Sequence, residues 1–156
     1  MVKRPTGLPE IIKTFGNIPF MAIDGILTPA EEATFVTTIQ LPFPIQLSWM
    51  PMHTTKMRCH KALADTFIGV FKTIEARGFA HLIKTFGGCY NFRVKRSSSK
   101  LSTHAWGIAT DLNIDTNQMG TKGDMNPEIV AIFRDFGFIW GGDFGDPMHF
   151  QYCGGY

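Results

Sequence analysis

The sequence predicts an α+β fold in which helices pack on a small, mainly antiparallel sheet. Two apolar stripes at helical spacing and two short alternating runs carry that expectation. Leu63, Phe67, Val70, Phe71 and Ile74 recur three and four residues apart, so a helix over about 60–77 buries one face, with Gly78 where a C-terminal glycine would end it. Asn126-Pro127-Glu128 opens a second helix with a capping side chain, proline in the first turn and an acidic residue near the positive end of the dipole. Its stripe is Ile129, Ile132, Phe133 and Phe136, and Gly137 stops it. Ile108 to Ile114 alternates, with Ile108, Thr110, Leu112 and Ile114 on one side and Ala109, Asp111 and Asn113 on the other. Phe138-Ile139-Trp140, a Gly-Gly-Asp turn, and Met148 to Tyr152 predict a closing strand-turn-strand. There His149 and Gln151 share one face, and Met148, Phe150 and Tyr152 the other.

With 156 residues, 44% of them hydrophobic and 18% charged, the chain suits one folded domain with a real core rather than a disordered segment. Fourteen phenylalanines and three tryptophans supply that core. Residues 1–57 are rich in proline and are expected to pack irregularly, with one short helix at Thr28-Pro29-Ala30-Glu31-Glu32 and one or two short strands. The apolar runs of this part include Ile18 to Ile23 and Ile39 to Ile45. Residues 58–152 form the part that carries the chemistry. Phe86 to Val94 reads as a glycine turn followed by a strand-like stretch, and the serine-rich loop from Lys95 to Lys100 as an exposed connection.

A formal charge of +2 gives no reason to expect nucleic acid, and the basic loop lacks the aromatic-basic platform that usually binds it. The surplus is uneven, however. Arg93, Lys95, Arg96 and Lys100 cluster in one stretch, where they would attract an acidic substrate. Cys59, Cys89 and Cys153 are odd in number and lack CxxC spacing, so buried or free thiols are expected. No apolar run approaches the roughly 18 residues of a membrane span, and no signal peptide is evident, so synthesis in the cytoplasm without membrane insertion is expected.

The residues with the most chemistry are His104, Asp111 and His149. Two imidazoles and one carboxylate are a ligand set for catalytic zinc, which keeps a further coordination position open. His104 and Asp111 stand seven apart, one on a turn and one on a strand, which rules out two ligands on one helix face. His149 must then arrive from a neighbouring strand, bringing Asp146 with it in the preceding turn. Singly, each residue has an ordinary explanation: a capping carboxylate, a satisfied sheet histidine. His53, His60 and His81 keep the ordinary explanation, and Asp143 reads as a turn residue after Gly-Gly.

Ser102-x-His104-x-x-Gly107-x-Ala109-x-Asp111, followed by Asp146-x-x-His149, resembles the signature of the zinc D-alanyl-D-alanine carboxypeptidase and L-alanyl-D-glutamate endopeptidase family. Trp140-Gly141-Gly142-Asp143 and His149-Phe150-Gln151 resemble its phage endolysin-like branch, and the likeness runs over about residues 58–152. The resemblance implies a LAS/hedgehog-type zinc peptidase fold. It implies Zn²⁺ held by His104, Asp111 and His149, with Asp146 as general base and an upstream arginine for the oxyanion. Arg93, at the end of a strand-like stretch, is the first choice for that arginine and Arg96 the alternative. Ser102 and Trp106 would shape the cleft or support the ligands, although packing explains Trp106 equally well. Many relatives have Glu where Asp146 stands.

The expected activity is hydrolysis of an amide bond in the peptidoglycan stem peptide, first between L-alanine and D-glutamate, second as a D-alanyl-D-alanine carboxypeptidase. A zinc-containing wall-binding module without catalysis is the reading from another class. The absence of a signal peptide fits a phage-type lysin released by a separate holin-type partner, or a virion-associated enzyme, and a monomer is expected.

Overall fold

A computed structural model describes residues 1–18 and 25–156; most of the apolar run from Ile18 to Ile23 lies outside the described residues. Helix α1, Gly7–Phe15, buries Ile11 and Phe15. Helix α2, Pro29–Phe35, starts at the expected cap, where Thr28 Oγ1 accepts from the Glu31 amide at 3.2 Å. Strands β1, Val36–Leu47, and β2, His53–His60, then pair antiparallel. These long strands correct the expectation of irregular packing in the N-terminal part. Their register slips between Gln40 and Ile45, the interval that contains Pro42 and Pro44. Proline cannot donate to a ladder, so the irregularity absorbs both residues and pairing resumes beyond it.

Helix α3, Ala64–Ala76, buries Phe67, Val70, Phe71 and Ile74 of the predicted stripe, while Leu63 is buried from the 3-10 turn Lys61–Leu63 that precedes it. Strand β3, Thr85–Phe86, lies parallel to the end of β1 and completes a sheet of order β2-β1-β3. The second sheet has order β4-β6-β5, from β4 Ala109–Asp111, β5 Ile139–Trp140 and β6 His149–Gln151, all antiparallel. Helix α4, Pro127–Asp135, is capped by Asn126 Oδ1 on the Glu128 amide at 2.8 Å. The described residues are thus α+β as expected, with two small sheets in place of one. A bridge between Phe86 and Leu112 joins the sheets, reinforced by the Gly87 amide on Asp111 O at 2.8 Å.

Two strand expectations shorten. The alternation from Ile108 to Ile114 is strand only through Asp111, because Asn113 adopts a left-handed conformation at φ 53° and turns the chain into a 3-10 helix over Ile114–Thr116. Asn113 Oδ1 holds that turn by accepting from the Lys84 and Thr85 amides at 2.7 and 3.2 Å. Residues 87–93 run without strand pairing, and only Val94 bridges Leu101 across the basic loop.

The core is aromatic. Phe133 of α4 stacks on Phe150 of β6 at 4.1 Å between ring centroids and meets Phe71 and Phe138 edge-on. Because strand side chains alternate, seating Phe150 in this cluster turns His149 and Gln151 to the opposite face. Burying each such ring contributes roughly 1.5–3 kcal/mol, so the register of β6 is strongly fixed. Trp106 is fully buried, its Nε1 donating to Gly16 O at 3.0 Å, so it packs the core rather than lining the cleft. The three cysteines are buried and unpaired, and burial pushes the Cys59 and Cys153 thiols up to about 12, which leaves them inert near neutrality.

His60 is a structural histidine. Its ring packs between Phe15 and Phe35, Nε2 donates to Phe15 O at 3.0 Å, and Nδ1 accepts from the Ala62 amide at 3.0 Å. Burial lowers its pKa, the Phe15 hydrogen bond partly opposes that, and Lys61 adds to it. A histidine depressed in the folded state is protonated more readily in the unfolded one. Stability is therefore full above the ordinary imidazole value of about 6.5 and declines as pH falls below it. His60→Gln is expected to lower the Tm at neutral pH but to flatten its fall between about pH 7 and pH 5.5, measured by thermal melts across that range.

Candidate metal centre

His104 sits in a 3-10 turn, Thr103–Trp106, that Ser102 caps by accepting from the His104 amide at 3.3 Å. The turn ends at Gly107, whose φ of 69° and approach to β2 both require glycine: a Cβ there would lie 2.7 Å from the His60 amide nitrogen. His104 Nδ1 donates to Cys89 O at 2.8 Å, which leaves Nε2 to face Asp111 Oδ2 at 3.2 Å. The β4–β6 register sets Asp111 directly opposite His149, and His149 Nδ1 reaches Asp111 Oδ1 at 2.9 Å. One donor atom from each of His104, Asp111 and His149 lies within 4.8 Å of the others. The three residues separated along the chain thus converge as the sequence predicted.

The electrostatics of the group suit a cation. Burial alone would raise the Asp111 carboxyl, but the charge and hydrogen bond of His104, followed by those of His149, hold it well below the usual carboxylate range. Burial disfavours the His149 cation, yet the Asp111 hydrogen bond and charge, with help from Gln151 and Asp146, push its pKa up. A divalent ion between these side chains would satisfy the same carboxylate. The donor set, two imidazoles and one carboxylate with each ring's other nitrogen already bonded, fits zinc.

Asp146 stands beside the group. Its amide donates to Gly141 O at 2.8 Å, and its own carbonyl accepts from the His149 amide at 3.1 Å. Gly141 is a site residue that sequence reasoning passed over: a Cβ there would come within 2.3 Å of Asp146 O and 2.9 Å of His149 Cβ. Only the Gly-Gly pair hinted at it. Asp146 Oδ1 is buried without a hydrogen-bond partner. Burial raises its pKa, more than the neighbouring His149 charge lowers it.

These residues floor a cleft of about 660 Å³. Arg93, Lys95 and Arg96 line one part of it, and Met119 and Phe144, both more than half exposed, supply apolar surface. Arg93 is held near the centre through its backbone, where Ser102 N donates to Arg93 O at 2.9 Å. Lys95 lies over the Tyr156 ring at 3.8 Å, which fixes one end of the basic loop. Asp143 lies in a 3-10 turn over Gly141–Phe144 and pairs with Arg134 at 2.8 Å on the surface. His53 and His81 are exposed and stand outside the His104–Asp111–His149 group.

Residues 95–152 match the family model described as D-alanyl-D-alanine carboxypeptidase. This segment is similar to that family and covers less than half of the chain. It contains His104, Asp111, Asp146 and His149, whereas Arg93 lies just before it. The family match and the His–Asp–His group together make the chain a metallopeptidase. Neither a curated protein nor a solved structure matches the chain. Among the described residues no helix is long and apolar enough to cross a membrane.

Proposed function

We propose that the protein is a zinc-dependent peptidoglycan peptidase that cleaves the stem peptide between L-alanine and D-glutamate. The observation that carries the catalytic reading is Asp146, a carboxylate with a buried, unpartnered oxygen in the same cleft as the His–Asp–His group. A purely structural or binding site has no use for such a group, because an unmet buried polar atom costs stability.

His104 through Nε2, Asp111 through its carboxylate and His149 through Nδ1 would hold the zinc. When bound, zinc supplies Lewis-acid polarisation of the scissile carbonyl and acidifies the attacking water. Asp146 would accept the proton of that water and return it to the leaving amine, and its raised pKa favours the first half of that exchange. Arg93 neutralises the developing oxyanion, a role worth about 2–4 kcal/mol for a single donor. Arg93→Ala is expected to lower kcat by roughly 10²–10³-fold with zinc content unchanged. Should Arg96→Ala carry the larger loss in steady-state assays, the oxyanion role belongs to Arg96.

The basic side chains at the cleft suit a substrate with free carboxylates, which the stem peptide has. The choice of bond rests on the endolysin-like strings Trp140-Gly141-Gly142-Asp143 and His149-Phe150-Gln151, and on Asp rather than Glu at 146. The family description supports a second reading, release of terminal D-alanine. Action on the wall would follow release through a separate membrane-permeabilising partner or delivery with a virion. The test is digestion of purified peptidoglycan of several chemotypes by the zinc-loaded protein, with and without chelator, and mass spectrometry of the new termini. Chelator-sensitive N-terminal D-glutamate or D-isoglutamine is the expected product. Free D-alanine would move the assignment to a carboxypeptidase, and no cleavage of any chemotype by zinc-loaded protein would overturn the enzymatic reading of the wall substrate.

A further inference from the structure

We infer that Gln151 is a positioning residue that selects which nitrogen of His149 faces the metal, an inference that rests on the metal-centre reading above. Gln151 Nε2 donates to Cys153 O at 3.1 Å, and a carbonyl can only accept. That contact orients the amide so that Gln151 Oε1 points at His149 Nε2, 3.0 Å away. An amide oxygen also only accepts, so Nε2 keeps a proton for Gln151, and Nδ1, the nitrogen that meets Asp111, is the one a metal would take. Thr103 Oγ1 lies 3.4 Å from the same Nε2 and can adapt to either tautomer, so it does not decide the matter.

The device is built into the strand. His149 and Gln151 are two apart on β6 and therefore share its site face, while Gln151 pairs in register with Ala109, whose small side chain leaves room for the amide. Gln151, His149 and Cys153 are all buried, so water does not compete for these bonds. The two histidines present opposite nitrogens as a result. His104, anchored by the Cys89 carbonyl through Nδ1, offers Nε2; His149, anchored by Gln151 through Nε2, offers Nδ1.

Two measurements test this. In the first, zinc affinity by competition with a chromophoric chelator and the visible spectrum of the cobalt-loaded form are compared for wild type, Gln151→Met and Gln151→Glu. Gln151→Met keeps the volume without the acceptor and is expected to bind zinc about 10–100-fold more weakly, the usual cost of losing an outer partner, with an altered cobalt spectrum. Gln151→Glu restores an acceptor and is expected to recover most of the affinity. Wild-type affinity and spectrum in Gln151→Met would overturn the inference, whereas wild-type protein that binds no zinc would overturn the metal centre itself. The second measurement needs no variant to fold: long-range ¹H–¹⁵N spectra of the zinc-loaded protein, in which His149 should carry its proton on Nε2. A proton on Nδ1 would overturn the role of Gln151.

Discussion

Asp146→Asn is expected to abolish most hydrolysis while leaving the zinc in place. The substitution keeps the shape of the side chain and removes its capacity to take a proton. Loss of a positioned general base costs roughly 10²–10⁴-fold in kcat. The backbone that sets Asp146 in position, its amide on Gly141 O and its carbonyl on the His149 amide, does not depend on the side chain. Folding and metal content should therefore match wild type, verified by circular dichroism and elemental analysis on the same sample. A variant that retains full activity with a full complement of zinc would remove Asp146 from the mechanism.

Asp111→Asn is expected to have the largest effect on metal binding and a separate effect on the metal-free fold. Asp111 is the only anion among the three converging residues, and its two oxygens each face one imidazole. Without that charge the affinity for zinc should fall by more than the 10–100-fold typical of an outer partner, read by chelator competition. The second effect follows from its depressed pKa. A carboxylate held low in the folded state contributes stability above its unfolded value of about 3.9, and that contribution disappears as pH falls through the folded value. Metal-free Asp111→Asn should thus melt below metal-free wild type at neutral pH, with the gap narrowing in strong acid. Equal melting temperatures at neutral pH would show that the carboxylate does not stabilise the metal-free fold.

The fold was most legible where one periodicity acted alone. The stripes of α3 and α4 and the Asn126 cap could be read because burial of one helical face needs no information from elsewhere in the chain. The β1–β2 pair was not legible, since Pro42 and Pro44 argue locally against a strand, and only pairing with β2 provides an irregularity that accommodates them. Local alternation likewise extended β4 too far. Asn113 leaves the strand because its side chain bonds the Lys84 and Thr85 amides, partners distant in sequence.

The metal-site candidates were legible as residue types and spacings: two histidines, two aspartates and a glycine-rich setting. By itself the sequence determined which side chains had the chemistry, and the parity of β6 put His149 and Gln151 on one face. The tertiary structure decided their convergence and their chemical states. Asp111 meets His149 because β4 and β6 share a register, the ring nitrogens that face Asp111 follow from carbonyls at Cys89 and Cys153, and Asp146 approaches because Gly141 has no side chain. Those outcomes depend on contacts between residues far apart along the chain, and proton position and close approach are properties of such contacts rather than of any residue alone.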